Sequence, residues 1–273
     1  MPHATYNILV PVDFSASSQW AVKKAAALAV QLRATIHLVQ ILPTRGPSLL
    51  SMESPGLPAA AWTEEASENL SRLREICTEH QINADRVQLS VMEGGFKQQL
   101  AVCLQNTDAD LLVIGIPEHQ LLRRIIARNT LRRISTNYQI PVIGVGAESA
   151  APIRKIVLPL GEKLSVRSIK LATYMAKACK STLYIVALRP VGGLISESMN
   201  LTREIIKSIS TVPVQYYFLD GKNLAESSVR FARRIHADLL MINPVKGFSL
   251  PGLWNRITNK ILSCSQVPVI MVK

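Results

Sequence analysis

The sequence predicts an α/β protein made of two tandem, doubly wound domains. Three observations carry this: an internal repeat, short apolar runs without alternation, and helical patterns between them. Asn7-Ile-Leu-Val-Pro-Val12 returns as Lys155-Ile-Val-Leu-Pro-Leu160, Ala109-Asp-Leu-Leu-Val-Ile114 as Ala237-Asp-Leu-Leu-Met-Ile242, and Ile140-Pro-Val-Ile-Gly-Val145 as Val267-Pro-Val-Ile-Met-Val272. Continuous Val/Ile/Leu runs of this length read as strands buried on both faces. Strands alternating with helices call for a parallel sheet covered on both sides.

In the first half, strands are expected at 7–12, 35–41, 86–92, 110–115 and 141–146. Helices are expected over Ser17–Gln31, Thr63–His80, Lys97–Gln105 and Leu121–Asn137. The first is Ala-rich, with Ser15 or Ser17 placed to cap it. The second opens Thr-Glu-Glu, with acids suited to a helix N-terminus. The repeats lie 148, 128 and 127 residues apart, so the first half holds about 20 extra residues. The Pro/Gly/Ser-rich stretch 43–62 accounts for them and is expected to be a long, mobile surface loop. In the second half the strands are expected at 155–160, 182–188, 213–219, 238–242 and 267–272, with Glu148–Pro152 as the linker. The domains are thus 1–148 and 153–273.

A chain of 273 residues, 48% hydrophobic and 18% charged, can bury two proper cores. The four cysteines, Cys77, Cys103, Cys179 and Cys264, form no CxxC pair and suit a reducing, cytoplasmic setting. No signal peptide and no stretch long enough to span a bilayer is read in the chain, so no membrane insertion is expected. The fingerprints of dinucleotide-binding, P-loop and α/β-hydrolase enzymes are missing. The five histidines fall singly, without metal-ligand spacing, and His37 reads as a satisfied structural side chain on the second strand.

Ligands of open parallel sheets bind beyond the C-terminal strand ends, where strand order reverses. Pro11, Val12 and Asp13 leave the first strand there, Ile41 the second, and Ile114 and Gly115 the fourth. Asp13 fits two roles equally: a carboxylate accepting hydrogen bonds from a ribose or base, or a cap of the following turn shared with Ser15.

Val-Pro-Val-Asp-Phe-Ser at residues 10–15, the Ala-rich helix, Ala109–Gly115 and the closing Ile-Pro-Val-Ile together resemble the universal stress protein family, in two copies. The resemblance implies five-stranded parallel sheets of order 3-2-1-4-5, packed as an internal pseudo-dimer whose fifth strands meet. Its ATP-binding members carry Gly, two residues, Gly, nine residues and then Gly-Ser or Gly-Thr after the fourth strand. Small residues there let backbone N–H groups approach phosphates. Here Gly115 holds the first position and Glu118 the second, Arg128 and Asn129 replace the final pair, and Thr130 falls one place late. Glu118 sets a negative charge where phosphates would lie, and Arg128 adds bulk. In the second copy Gly161 replaces Asp13, Asn243 and Lys246 replace the first two glycines, and Arg256-Ile257 or Asn255-Arg256 the last pair.

The resemblance therefore implies a non-catalytic stress-response protein that binds a ligand or protein partner through a degenerate nucleotide motif, with no cofactor expected. The alternative is an adenine-nucleotide sensor holding ATP in the first domain, through Asp13, Gly115 and nearby arginines. A homodimer beyond the internal pair is compatible with both.

The net charge is +12, and its distribution is uneven. Residues 1–150 carry 13 basic and 13 acidic side chains, whereas residues 151–273 carry 18 and 6. Lys163, Arg167, Lys170 and Lys177 share one helix face, which reads first as a solvated surface. A polyanion-binding surface on this basic half is a third reading. Nucleic acid is not the expected partner, because the aromatics of Tyr216-Tyr217-Phe218 are read as lying on a buried strand.

Overall fold

The computed structural model describes residues 6–44, 59–116, 138–146, 152–161, 165–189, 194–242 and 267–272. The first half contains β1 (Asn7–Pro11), α1 (Ala16–Leu32), β2 (Thr35–Leu42), α2 (Ala59–Glu79), β3 (Val87–Glu93), α3 (Phe96–Asn106), β4 (Leu111–Gly115) and β5 (Val142–Val145). The second contains β6 (Lys155–Pro159), α4 (Val166–Ala178), β7 (Thr182–Leu188), α5 (Leu194–Ile209), β8 (Val214–Leu219), α6 (Leu224–Arg234), β9 (Leu239–Ile242) and β10 (Val269–Met271). Each expected strand is present, to within two residues at either end.

The ten strands form one sheet of order β3-β2-β1-β4-β5-β10-β9-β6-β7-β8. Each half has the order 3-2-1-4-5, all parallel, and the fifth strands meet antiparallel, with Ile143 opposite Ile270. Successive strand residues point to opposite faces, which divides the interior in two. Ile8, Val10, Ile36 and Leu38 join α1 and α2 on one face, as Ile156, Leu158 and Ile185 join α4 and α5. Leu9, Val39 and Leu112 pack under α3, as Val157, Val186 and Leu240 pack under α6. A strand buried on both sides has no polar register, hence the unbroken Val/Ile/Leu runs.

The repeated Ala-Asp has a structural role. Asp110 Oδ2 accepts the Asn7 N–H at 2.9 Å, and Asp238 Oδ2 accepts the N–H groups of Arg154 and Lys155 at 2.8 and 2.9 Å. Each aspartate ties the start of a fourth strand to the start of its first. Between the halves, Tyr6 and Tyr174 stack with ring centroids 6.0 Å apart. Gln31 reaches from α1 to the backbone of Ile153 and Cys179, and Arg167 donates to the carbonyl of Gln139.

Two expectations need correction. The stretch 43–62 is not a loop throughout: α2 begins at Ala59, because Ala59-Ala-Ala61 has the strongest intrinsic helix preference. The rest of it, from residue 45 to 58, lies outside the described residues, as does the helix expected over Leu121–Asn137. The strand carrying Tyr216–Phe218 is not a buried one. It is β8, at the sheet edge, with Tyr217 and Phe218 38% and 44% exposed. An edge strand has a neighbour on one side only, so its apolar content does not guarantee burial. On α4, Arg167, Lys170 and Lys177 are exposed, as a solvated face requires; Lys163 lies outside the described residues.

Candidate functional site

A crevice at the strand exits follows from the register. β1 pairs with β4 only at Ile8–Leu111 and Leu9–Leu112. Beyond that point β1 stays with β2, where the Val12 N–H donates to the Val39 carbonyl at 2.8 Å, and β4 stays with β5, where Ile116 N–H donates to Val145 at 2.7 Å. The two exits diverge at the place where strand order reverses. The second half repeats the arrangement: β6 meets β9 only at Ile156–Leu239 and Val157–Leu240, and Leu160 N–H donates to Val186 at 2.8 Å.

The β1 exit is shaped by hydrogen bonds among Asp13 and three serines. Ser15 donates its N–H to Asp13 Oδ1 at 3.1 Å and its hydroxyl to the same oxygen at 2.5 Å. Because that proton is committed, the Ser15 oxygen accepts from the Ser17 hydroxyl at 2.9 Å and from the Ser18 N–H at 3.3 Å. Ser15 is thereby the N-cap of α1, settling the choice between Ser15 and Ser17. Burial alone would push the Asp13 carboxyl up, but the hydrogen bonds from Ser15 and Ser18 outweigh it and hold it below its ordinary value. Asp13 performs the turn role through Oδ1 while remaining exposed. The two roles read from sequence therefore do not exclude each other.

Phe14 makes the sharp change of direction with φ of 59°, a left-handed backbone uncommon for a bulky residue. Its ring packs against the core and lies under Arg72 of α2, whose guanidinium carbon is 3.8 Å from the ring centroid. Arg72 brings a cation beside the β1 exit. No spacing in the sequence signals it, since α2 and β1 meet only through folding.

Gly115 is held by packing. A Cβ placed on it would sit 1.9 Å from the Ser17 carbonyl oxygen and 2.2 Å from its carbon. The first turn of α1 thus lies directly on the end of β4, and only glycine leaves room. Val12 is buried, and Ile41 and Ile114 pack on the α3 side of the sheet, lining the exits without polar chemistry. Arg128, Asn129, Thr130 and Glu118 lie outside the described residues, as do Asn243, Lys246, Asn255, Arg256 and Ile257. The structure places Pro11, Val12 and Asp13 at the β1 exit and Ile114 and Gly115 at the neighbouring β4 exit.

At the equivalent exit of the second half, the one described atom near the Cβ direction of Gly161 is Leu224 Cδ2, at 4.0 Å. Ser165 caps α4 as Ser15 caps α1, accepting from Ser168 N–H at 3.3 Å. The cap is retained and the carboxylate is lost. His37 is buried, its Nε2 lies 3.4 Å from Asn7 Oδ1, and burial pulls its pKa down, consistent with a structural side chain. Among the described residues no group of three His, Cys, Asp or Glu could hold a metal ion. No described helix is long and apolar enough to cross a membrane.

Known structures share this architecture. A universal stress protein from Archaeoglobus fulgidus DSM 4304 superposes with a TM-score of 0.70 at 14% identity, covering 98% of this chain and 96% of that one. A protein of unknown function from Pseudomonas aeruginosa PAO1 gives a TM-score of 0.58 at 18% identity, covering 99% and 93%. At these identities the likeness is one of fold, over both halves. No curated protein matches the chain. The model of the universal stress protein family, however, matches residues 5–145, spanning β1 to β5 and the whole crevice, and on that ground the chain belongs to the universal stress protein family.

Proposed function

We propose that this chain is a non-catalytic stress-response protein that binds a small ligand or protein partner at the first-half crevice, through a degenerate nucleotide motif. The observation carrying this reading is the contact of Gly115 with Ser17. The one glycine surviving from the ATP-binding pattern meets a packing demand of α1, so its presence does not argue for a phosphate cradle. Glu118 and Arg128 stand where such a cradle needs small, uncharged residues. A bound ATP does not fit this set. The second half, with Gly161 in place of Asp13, serves as its structural partner; the proposed divide lies between residues 148 and 153. Free, buried Cys77, Cys103 and Cys179 accord with a cytoplasmic setting. The test is the nucleotide content of protein purified without denaturation: none or a trace is expected, and stoichiometric ATP overturns the reading.

A second reading is favoured by the exposed Asp13 carboxylate, with Arg72 over the adjacent Phe14 ring: an adenine-nucleotide sensor in which Asp13 accepts from a ribose. Under it Asp13→Ala abolishes nucleotide binding in a calorimetric titration; unchanged affinity overturns it.

A further inference from the structure

We propose that the second half carries a binding surface for single-stranded nucleic acid, built from a basic groove and an aromatic ladder that the first half lacks. The groove lies at the starts of β6 and β7, has a volume of about 490 Å³, and is lined by Arg154, Lys155, Lys180, Thr182, Gln31 and Tyr184. Arg154 and Lys180 are exposed. Lys155 is anchored by its ammonium to the Ile235 carbonyl at 2.8 Å. None of the described residues that line it is acidic. The groove is therefore a place of net positive charge.

Tyr184 is where the groove meets the aromatics. Its ring stacks with that of Tyr217, centroids 6.2 Å apart and planes 24° apart. Tyr217 in turn lies 4.9 Å from Phe231, over which Arg234 sits at 5.3 Å. Phe231 is buried and fixes the two tyrosines, while Tyr217 presents an exposed edge-strand ring. Arg230 and Arg233 are exposed on the same helix.

Matching positions in the two halves shows where the second half differs from the first. The pairing registers set Tyr184 against His37, Gln215 against Gln88 and Tyr217 against Ser90. The Ala-Asp repeat sets Phe231, Arg230, Arg233 and Arg234 against Cys103, Val102, Gln105 and Asn106. Tyr184, Tyr217 and Phe231, with Arg230, Arg233 and Arg234, thus stand where the first half has uncharged side chains, while the Lys180 cation is matched by Arg33. Solubility alone would favour the charges but not an exposed Tyr217. Cations that follow a phosphate backbone, beside a ring on which an unpaired base can stack, are the chemistry of single-strand recognition. An acidic protein segment would use the cations and leave the tyrosine idle.

The test is fluorescence anisotropy of the full chain with labelled oligo(dT) and oligo(U), with inorganic polyphosphate and polyglutamate as competitors. The expected result is binding at low salt that weakens steeply as salt rises. Tyr217→Ala should lower affinity for the oligonucleotides by about 5- to 150-fold, leave polyphosphate competition at that variant's own affinity unchanged, and be rescued by Tyr217→Phe. Arg154→Gln with Lys180→Gln should reduce the slope of log K against log salt by about 1.4, at roughly 0.7 per phosphate contact. Circular dichroism checks that each variant is folded. Absence of binding at low salt overturns the proposal, as does binding indifferent to both sets of substitutions. Polyglutamate displacing the oligonucleotide as well as unlabelled oligonucleotide does, with equal sensitivity to Tyr217, would assign the surface to acidic protein instead.

Discussion

Substituting Gly115 with alanine separates a packing role from a ligand role. The added methyl would lie 1.9 Å from Ser17 O and 2.2 Å from Ser17 C, where ordinary contact begins at 3.4 Å. The obstructing atoms are backbone, so no side chain can rotate away. Relief requires the first turn of α1 to move by more than 1 Å off β4, and that turn includes the Ser15 cap. Overpacking of this kind costs about 1–3 kcal/mol, and loss of an N-cap adds about 1 kcal/mol. A total near 3 kcal/mol lowers Tm by roughly 6–12 °C for a chain of this size. Gly146→Ala is the comparison substitution, because among the described residues nothing lies within 4 Å of its Cβ position; it should cost much less stability than Gly115→Ala. Thermal unfolding followed by circular dichroism reads both. If Gly115→Ala melts within roughly 2 °C of the parent, the packing argument fails and the glycine must be explained by what binds there.

Ser15→Ala should cost about 1 kcal/mol as a lost cap and raise the Asp13 pKa, read by carboxyl carbon NMR across an acid titration. Asp13 is depressed in the folded state, so its contribution is present above the ordinary value of 3.8 and lost as pH falls through the folded value; in Ser15→Ala this acid dependence should shrink. Asp238→Ala removes the acceptor of two backbone N–H groups and should destabilise by about 2–3 kcal/mol in urea unfolding, with Asp238→Asn losing less. Lys24 is 1% exposed in α1, and burial pulls its ammonium down to about 8 from 10.5. The unfolded chain then binds more protons between those values, so stability should rise as pH passes 8. Cys179, pushed up to about 11 from 9 by burial, acts in the opposite sense above pH 9. The clean window is therefore pH 8–9, and Lys24→Met should flatten the rise there.

The fold was legible because its cause is local. Strands buried on both faces must be continuously apolar, and the central strands announce themselves without reference to their neighbours; the edge strands β3 and β8 alternate in exposure and are marked by their β-branched and aromatic residues. The repeat then fixes that there are two copies. The first-half exit was legible for the same reason: Asp13, Ser15 and Gly115 lie at the ends of recognisable strands. The roles of these residues were not legible. Asp13 could be cap or ligand until its Oδ1 was seen to accept from Ser15. Gly115 counted as a remnant of a phosphate loop until Ser17 was found against it. Arg72 gave no signal, because a cation over Phe14 depends on where α2 comes to rest.

The sequence by itself determined the element types, the duplication and the concentration of the +12 charge in one copy, all of which are properties of composition and order along the chain. Only the tertiary structure decided which strand became an edge. Among the described residues β8 has one neighbour, β7, and that fact exposes Tyr217 and sets it beside Tyr184 and a basic groove. Edge or centre is a matter of what lies on the far side of a strand. No run of residues encodes its own missing neighbour.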